Sequence, residues 1–244
     1  MIKVEHLKKS FDDQTILNGV DLHVKNNETM VILGPSGQGK TVLIKSLVRL
    51  LEPDDGSVLY DGTDIMALSR KELFELRKEI AFVFQNSALF DFMDVHENLS
   101  LFTKMHLPEV PLNEMEQRIE EALEFVGLDT SILTKFPEEL SGGMKKRVAI
   151  ARAMLKKPKY IFYDEPTTGL DKTNAEKVSE LINMLQDRIH ATSVVVTHDI
   201  QLMNDVANRV ALLKAGSIGF VGQKEDITHD VLTSLYDGGE LYEL

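Results

Sequence analysis

The chain has 244 residues, 43% of them apolar, and 27 basic side chains stand against 39 acidic ones for a formal charge of -12. An acidic balance without a basic tail argues against nucleic acid as a partner bound through bulk charge. The absence of cysteine excludes disulfides, thiol catalysis and thiolate metal sites, and fits a reducing compartment such as the cytoplasm.

No apolar run exceeds the five residues Ile80 to Phe84. A membrane helix takes about 20 apolar residues and a signal peptide about 7 to 15, so the expectation is a globular unit that neither spans a membrane nor enters the secretory route. Near the start, Ile2 and Val4 alternate with polar residues, and Val20, Leu22 and Val24 repeat the pattern, which predicts a small antiparallel β layer. Met30 to Leu33 is a compact apolar run ending at Gly34, and from Thr41 the apolar residues Leu43, Leu47, Leu50 and Leu51 recur near a helical period. The prediction is strand, glycine-rich loop, helix. Ser57 to Tyr60 before Asp61-Gly62 predicts a hairpin, and Ser69 with Glu72 a capping box for a helix carrying Leu73, Leu76 and Ile80. Ile80 to Phe84 reads as a buried strand.

From Asn86 to Pro158 the pattern is helical. Met115, Ile119, Ala122, Leu123 and Val126 form one apolar face, with Asn113 and Glu116 as the expected cap and Gly127 as the stop. Tyr160 to Tyr163, Ser193 to Val196 and Val210 to Leu213 read as strands, and Ala175, Val178, Leu181, Ile182, Leu185 and Ile189 as one face of a helix between the first two. Such alternation implies a mainly parallel sheet with helices packed on it.

Gly34-Pro35-Ser36-Gly37-Gln38-Gly39-Lys40-Thr41 satisfies the phosphate-loop pattern G-x-x-x-x-G-K-[ST] between a strand and a helix. Its glycines let backbone N–H groups converge on phosphate oxygens, the helix start adds about half a positive charge, Lys40 reaches the β and γ phosphates, and Thr41 offers a hydroxyl to Mg²⁺. Tyr160 to Tyr163 runs into Asp164 and Glu165. Two carboxylates at a strand end suit a magnesium–nucleotide site, Asp164 toward the metal and Glu165 toward an attacking water, although alone they also suit a solvated strand end. Ser141, Gly142 and Gly143 open a further helix. By spacing alone this is either an ordinary capped helix or a second anion-binding helix end.

In this order, the motifs resemble the nucleotide-binding subunits of ABC transporters, over nearly the whole chain. Gly34 to Thr41 matches the Walker A loop, Leu140 to Met144 the signature, Tyr160 to Asp164 the Walker B strand and Glu165 the catalytic glutamate. Gln85 matches the Q-loop, Gly169-Leu170-Asp171 the D-loop and His198 the switch histidine, while Phe11 stands where the family has an aromatic that stacks on adenine. By themselves His198 reads equally as a turn histidine and Phe11 as a core residue. The resemblance implies an α/β fold: a P-loop NTPase (RecA-like) core with an N-terminal antiparallel β subdomain and an inserted α-helical subdomain. It implies a single ABC ATPase domain, with 1–85 and 159–244 as β layer and core and 86–158 as helical subdomain. It also implies ATP and Mg²⁺ as ligands, with Thr41, Gln85 and Asp164 at the metal and Lys40, Gln85, Glu165 and His198 in catalysis. The partners implied are a second copy in a head-to-tail dimer and an integral-membrane permease, with the chain peripheral on the cytoplasmic face of the inner membrane.

Two positions depart from the broad family pattern: Met144 where glutamine is usual and Lys172 where proline is common. The LSGGM form, with Phe84 to Phe90 and Val95-His96-Glu97-Asn98, looks like the ATPase of Mla-type phospholipid transporters, which implies an MCE-domain protein as a further partner. A small-solute importer ATPase and a soluble, non-transport ABC ATPase of the cell-division or iron-sulfur assembly type are the alternatives. Ala88 to Met93 falls where the family receives a coupling helix, and is either a groove for it or core filling. From Lys135 to Lys159 eight residues are basic and two acidic, a solvated face or a patch facing membrane or partner. The acidic end from Val221 to Leu244 reads as a solvated tail or as a regulatory or dimer-stabilising appendage.

Overall fold

The computed structural model describes residues 1–106, 110–228 and 231–233. In chain order the first elements are β1 (Ile2–Phe11), β2 (Gln14–Val24), β3 (Thr29–Leu33), α1 (Lys40–Leu47), β4 (Asp55–Tyr60), β5 (Thr63–Asp64), α2 (Arg70–Lys78) and β6 (Ile80–Val83). There follow α3 (Val95–His106), α4 (Leu112–Phe125), α5 (Gly142–Leu155), β7 (Tyr160–Asp164), α6 (Lys172–Ile189), β8 (Thr192–Thr197), α7 (Ile200–Val206), β9 (Arg209–Lys214) and β10 (Ser217–Gln223). These fall into two compact units, residues 1–74 with 192–244, and residues 75–191.

The first unit holds the predicted antiparallel layer, in the order β2–β1–β4–β5. Ile2 pairs with Val24 on one side and Tyr60 on the other, so the alternating residues Ile2, Val4, Val20, Leu22 and Val24 all point into one buried face. Asp61 and Gly62, both at positive φ (48° and 88°), make the tight turn into β5. Beside this layer β3 pairs in parallel with both β8 and β9, and every residue of β3 and β8 is buried. β10 pairs antiparallel with β9 around Ala215-Gly216, a hairpin the sequence pattern does not announce.

The helix after the loop is shorter than its apolar period suggests. Arg49 takes a left-handed φ of 52°, its N–H donates to Ser46 O and the N–H of Leu50 to Lys45 O, which is a Schellman closure. Leu50 is therefore left half exposed instead of continuing the helical face. Ser69 and Glu72 make the expected reciprocal capping bonds, 2.8 and 3.3 Å, but the helix stops at Lys78 and Ile80 belongs to the strand β6.

The second unit contains the parallel pair β6–β7, with Ile80 opposite Tyr160 and Val83 opposite Tyr163. α5 lies at its centre, packed against α3, α4, α6 and β6. The apolar face of α4 is as predicted, with Met115, Ile119, Ala122 and Leu123 buried, but its cap is not. The helix starts at Leu112 after the extended Pro111, whose fixed φ sets the entry. Glu116 turns away from Asn113 to accept from His96 Nε2 at 2.9 Å. Residues 229, 230 and 234–244 of the acidic end lie outside the described residues.

Candidate nucleotide-binding and catalytic residues

In the first unit, β3 delivers the chain to Gly34, whose N–H donates to Thr197 O at 3.3 Å. A Cβ on Gly34 would stand 2.5 Å from the Leu213 carbonyl oxygen, so only glycine lets the loop leave the sheet here. Gly37 and Gly39 have φ of 80° and 91°, left-handed values that turn the loop into the start of α1. Pro35, Ser36 and Gln38 complete its course, with Gln38 Oε1 accepting from the Ala215 N–H at 2.7 Å. Lys40 is 5% exposed, and its ammonium donates to Gly34 O at 2.7 Å and Pro35 O at 3.0 Å. Thr41 follows in the first turn of α1, where the helix dipole favours an anion.

The same unit carries His198, exposed, one residue beyond β8. Its neighbour Thr197 accepts the Gly34 bond, so the loop and the histidine leave adjacent parallel strands at the same end. Phe11 closes β1, is 44% exposed and has the Lys9 ammonium 5.3 Å from its ring centre. It is a surface aromatic, not a core residue.

In the second unit, β7 ends in Asp164 and Glu165, 3% and 7% exposed. Glu165 has a φ of 48°, unusual for a residue with a side chain, and its Oε2 accepts from the Thr168 hydroxyl at 3.3 Å. Gln85 is exposed just past β6. Lys146, from the second turn of α5, is 4% exposed; its ammonium donates to the backbone oxygen of Gln85 and, at 3.4 Å, to that of Glu165. Burial lowers its pKa to about 8, against the opposing pull of the Asp164 and Glu165 charges.

Ser141 caps α5, its Oγ accepting from the Met144 N–H at 3.3 Å. Ser141 and Gly142 are exposed, whereas Gly143 is buried and a Cβ there would meet Asn174 Oδ1 at 2.6 Å. Asn174 is in turn fixed by Asp171, the cap of α6, through its N–H at 3.0 Å and its Nδ2 at 2.6 Å. Those bonds hold the Asp171 carboxyl below its ordinary pKa.

Sequence reasoning passed over Lys146, Thr168 and Asn174. The basic run after Lys135 is neither simply a solvated face nor simply a patch: Lys146, Arg147, Arg152 and Lys156 donate to main-chain oxygens of Gln85, Gly127, Ala88 and Arg77. The segment Ala88 to Met93 does not fill the core. Phe90 and Phe92 are 42% and 74% exposed with ring centres 5.7 Å apart.

No cluster of three or more His, Asp or Glu able to hold a metal occurs among the described residues. Each unit by itself carries oxygen donors of the kind Mg²⁺ takes, the Thr41 hydroxyl in the first and the Asp164 carboxylate in the second. No helix among the described residues is long and apolar enough to cross a membrane.

A family model described as ABC transporter matches residues 17–168. Over 224 residues the chain is 39% identical to the probable ribonucleotide transport ATP-binding protein of Mycobacterium leprae, covering 92% of this chain and 64% of that one. It thus spans less than two thirds of that relative's length. Over 227 residues it is 37% identical to the methionine import ATP-binding protein of Clostridium acetobutylicum, covering 93% and 70%. Among solved structures, the dimeric structure of a bacterial ABC transporter cassette matches with a TM-score of 0.85 and 32% identity, covering 92% of this chain and 99% of that one. A dimeric cassette in a post-hydrolysis state with ADP and Pi matches at 0.84, with the same identity and coverage. These likenesses bear out the expected α/β, P-loop NTPase fold.

Proposed function

The chain belongs to the ABC transporter family, and from that premise we propose that it hydrolyses ATP to drive a membrane partner. The observation that carries this reading is the loop Gly34 to Thr41, with left-handed glycines and a buried lysine at the start of a helix. It is built to bind a polyphosphate through backbone N–H groups and one ammonium.

The loop and Lys40 hold the phosphates, and Phe11 supports the adenine. Bound Mg²⁺ would supply neutralisation of the β and γ oxygens, with Thr41, Asp164 and Gln85 as its protein-side neighbours. Glu165 orients the attacking water, and His198 holds the γ phosphate. Ser141, Gly142 and Gly143 present a capped helix end to the nucleotide of a second copy, so two chains bind head to tail. Because phosphoryl transfer is mostly positioning and charge stabilisation, closure of the dimer completes the site, and phosphate release reopens it. The exposed Phe90–Phe92 pair receives the permease, with the chain on the cytoplasmic face of the membrane.

The test is phosphate release by the purified chain with Mg-ATP, beside Glu165→Gln. The variant should bind ATP, lose turnover and accumulate as a dimer in size-exclusion chromatography. Turnover near the wild-type rate would remove Glu165 from its role.

The cargo we propose is phospholipid, moved between bacterial membranes with an MCE-domain protein, on the strength of the Met144 signature and the Phe84 to Asn98 segment. A small-solute importer is the second reading, favoured by the methionine import relative. Lipid analysis of the complex purified from membranes separates them. Phospholipid with an MCE-domain protein supports the first; a solute-binding protein without lipid supports the second.

A further inference from the structure

The signature helix α5 does more than present its N-terminus. Four residues past Gly142, the Lys146 side chain leaves α5 and is buried between two stretches of main chain that the sequence keeps 80 positions apart, at 85 and 165. Its ammonium donates to the carbonyl oxygens of both Gln85 and Glu165. Two turns further along, Arg152 grips the rest of the first stretch, with Nη2 2.9 Å from Ser87 O and Nη1 2.8 Å from Ala88 O. Ser87 and Ala88 are at φ of 61° and 46°, and Glu165 is at 48°. These are conformations that non-glycine residues hold only where their surroundings impose them. A single helix therefore fixes both irregular segments, and its Lys146 side chain reaches the two together.

We propose that Lys146 is a positioning residue for hydrolysis: it ties the backbone of Gln85 to that of Glu165 and couples both to the helix that meets the second copy's nucleotide. This rests on the ATPase reading above. Lys146 touches no phosphate in that scheme; it acts through the placement of Gln85 and Glu165. An ammonium suits the task because it donates in three directions from a flexible stem, and two carbonyls from different segments need donors pointing apart. Docking of α5 against a partner then moves the water-orienting carboxylate and the glutamine as one piece, which links dimer closure to chemistry.

The experiment compares the full chain with Lys146→Met, Lys146→Arg and Lys146→Gln, measuring phosphate release against ATP concentration. Each rate is divided by the number of binding-competent chains, counted by titration with a fluorescent ATP analogue. Lys146→Met should lower kcat at least ~10-fold, as small misplacements of catalytic groups do, while KM for ATP stays within about twofold because the phosphate loop is untouched. Lys146→Arg, which keeps charged donors, should recover part of the loss. If Lys146→Met does not fold, Lys146→Gln is read in its place, with the same split expected. An unchanged kcat per competent chain, or an arginine variant no better than the methionine one, overturns the role of Lys146 alone. A wild-type chain that binds ATP without hydrolysing it overturns the ATPase reading and this role with it.

Discussion

The Lys40 ammonium donates to the Gly34 carbonyl at 2.7 Å, across the loop that carries both residues. One side chain thus braces the loop and supplies its only full positive charge among residues 34–41. Replacing it with methionine removes the ammonium that the proposed function sets against the phosphates, a charged hydrogen bond of about 1.5–3 kcal/mol. ATP affinity should fall by roughly 10- to 150-fold, read by equilibrium titration with a fluorescent nucleotide. Binding at wild-type strength would mean the loop is not the phosphate site.

Gly34→Ala should harm fold and binding together. The added Cβ would meet a backbone oxygen, Leu213 O, at 2.5 Å, and backbone yields less readily than a side-chain tip. The expected cost is about 1–3 kcal/mol, seen as a lower urea midpoint with an unchanged slope. An unaltered midpoint would show that β9 can move aside.

Asn98 is a buried amide with its hydrogen-bonding capacity used. Its Oδ1 accepts from the Phe90 N–H at 2.8 Å, and its Nδ2 donates to Phe90 O, Met93 O and Asp94 O at 3.1, 3.0 and 3.0 Å. It folds the segment that exposes Phe90 and Phe92. Asn98→Ala leaves those main-chain groups without their partner, at about 3 kcal/mol. The thermal midpoint should drop by roughly 6–12 °C, and a shift under about 2 °C would refute the account.

Lys156 makes stability depend on alkaline pH. Its ammonium donates to Arg77 O at 2.6 Å and to Ile80 O, and burial lowers its pKa to about 8. Between about 8 and its ordinary value of 10.5, the unfolded chain still binds the proton that the folded one has released, so stability rises with pH across that window. Below about 8 both states hold the proton and this lysine contributes no slope. Urea unfolding from pH 7 to 10.5 should show a smaller rise for Lys156→Met than for the wild type. Identical slopes would place the titration elsewhere.

What could be read from the sequence was what repeats locally. The phosphate loop is legible because its glycine spacing sits between an apolar run and a helical period, and each of those signals constrains the other. The strand ending in Asp164 and Glu165 is legible for the same reason. Asn113 has the type and the distance from Glu116 of a cap, yet Pro111 sets the helix start and His96, distant in sequence, claims the glutamate. The hairpin into β10 is hidden because no residue of Ser217–Gln223 is fully buried and Gly219 and Gly222 interrupt its side chains, which weakens the period of two. Lys146 was invisible for a deeper reason: a lysine in a basic helical run looks like a solvated one, and only the packing of α5 reveals that its ammonium ends on two carbonyls.

Glu165 sits at a backbone angle that glycine would adopt without penalty. The carboxylate is therefore kept at a thermodynamic disadvantage of order 1 kcal/mol, which selection for a sturdier protein alone would erase.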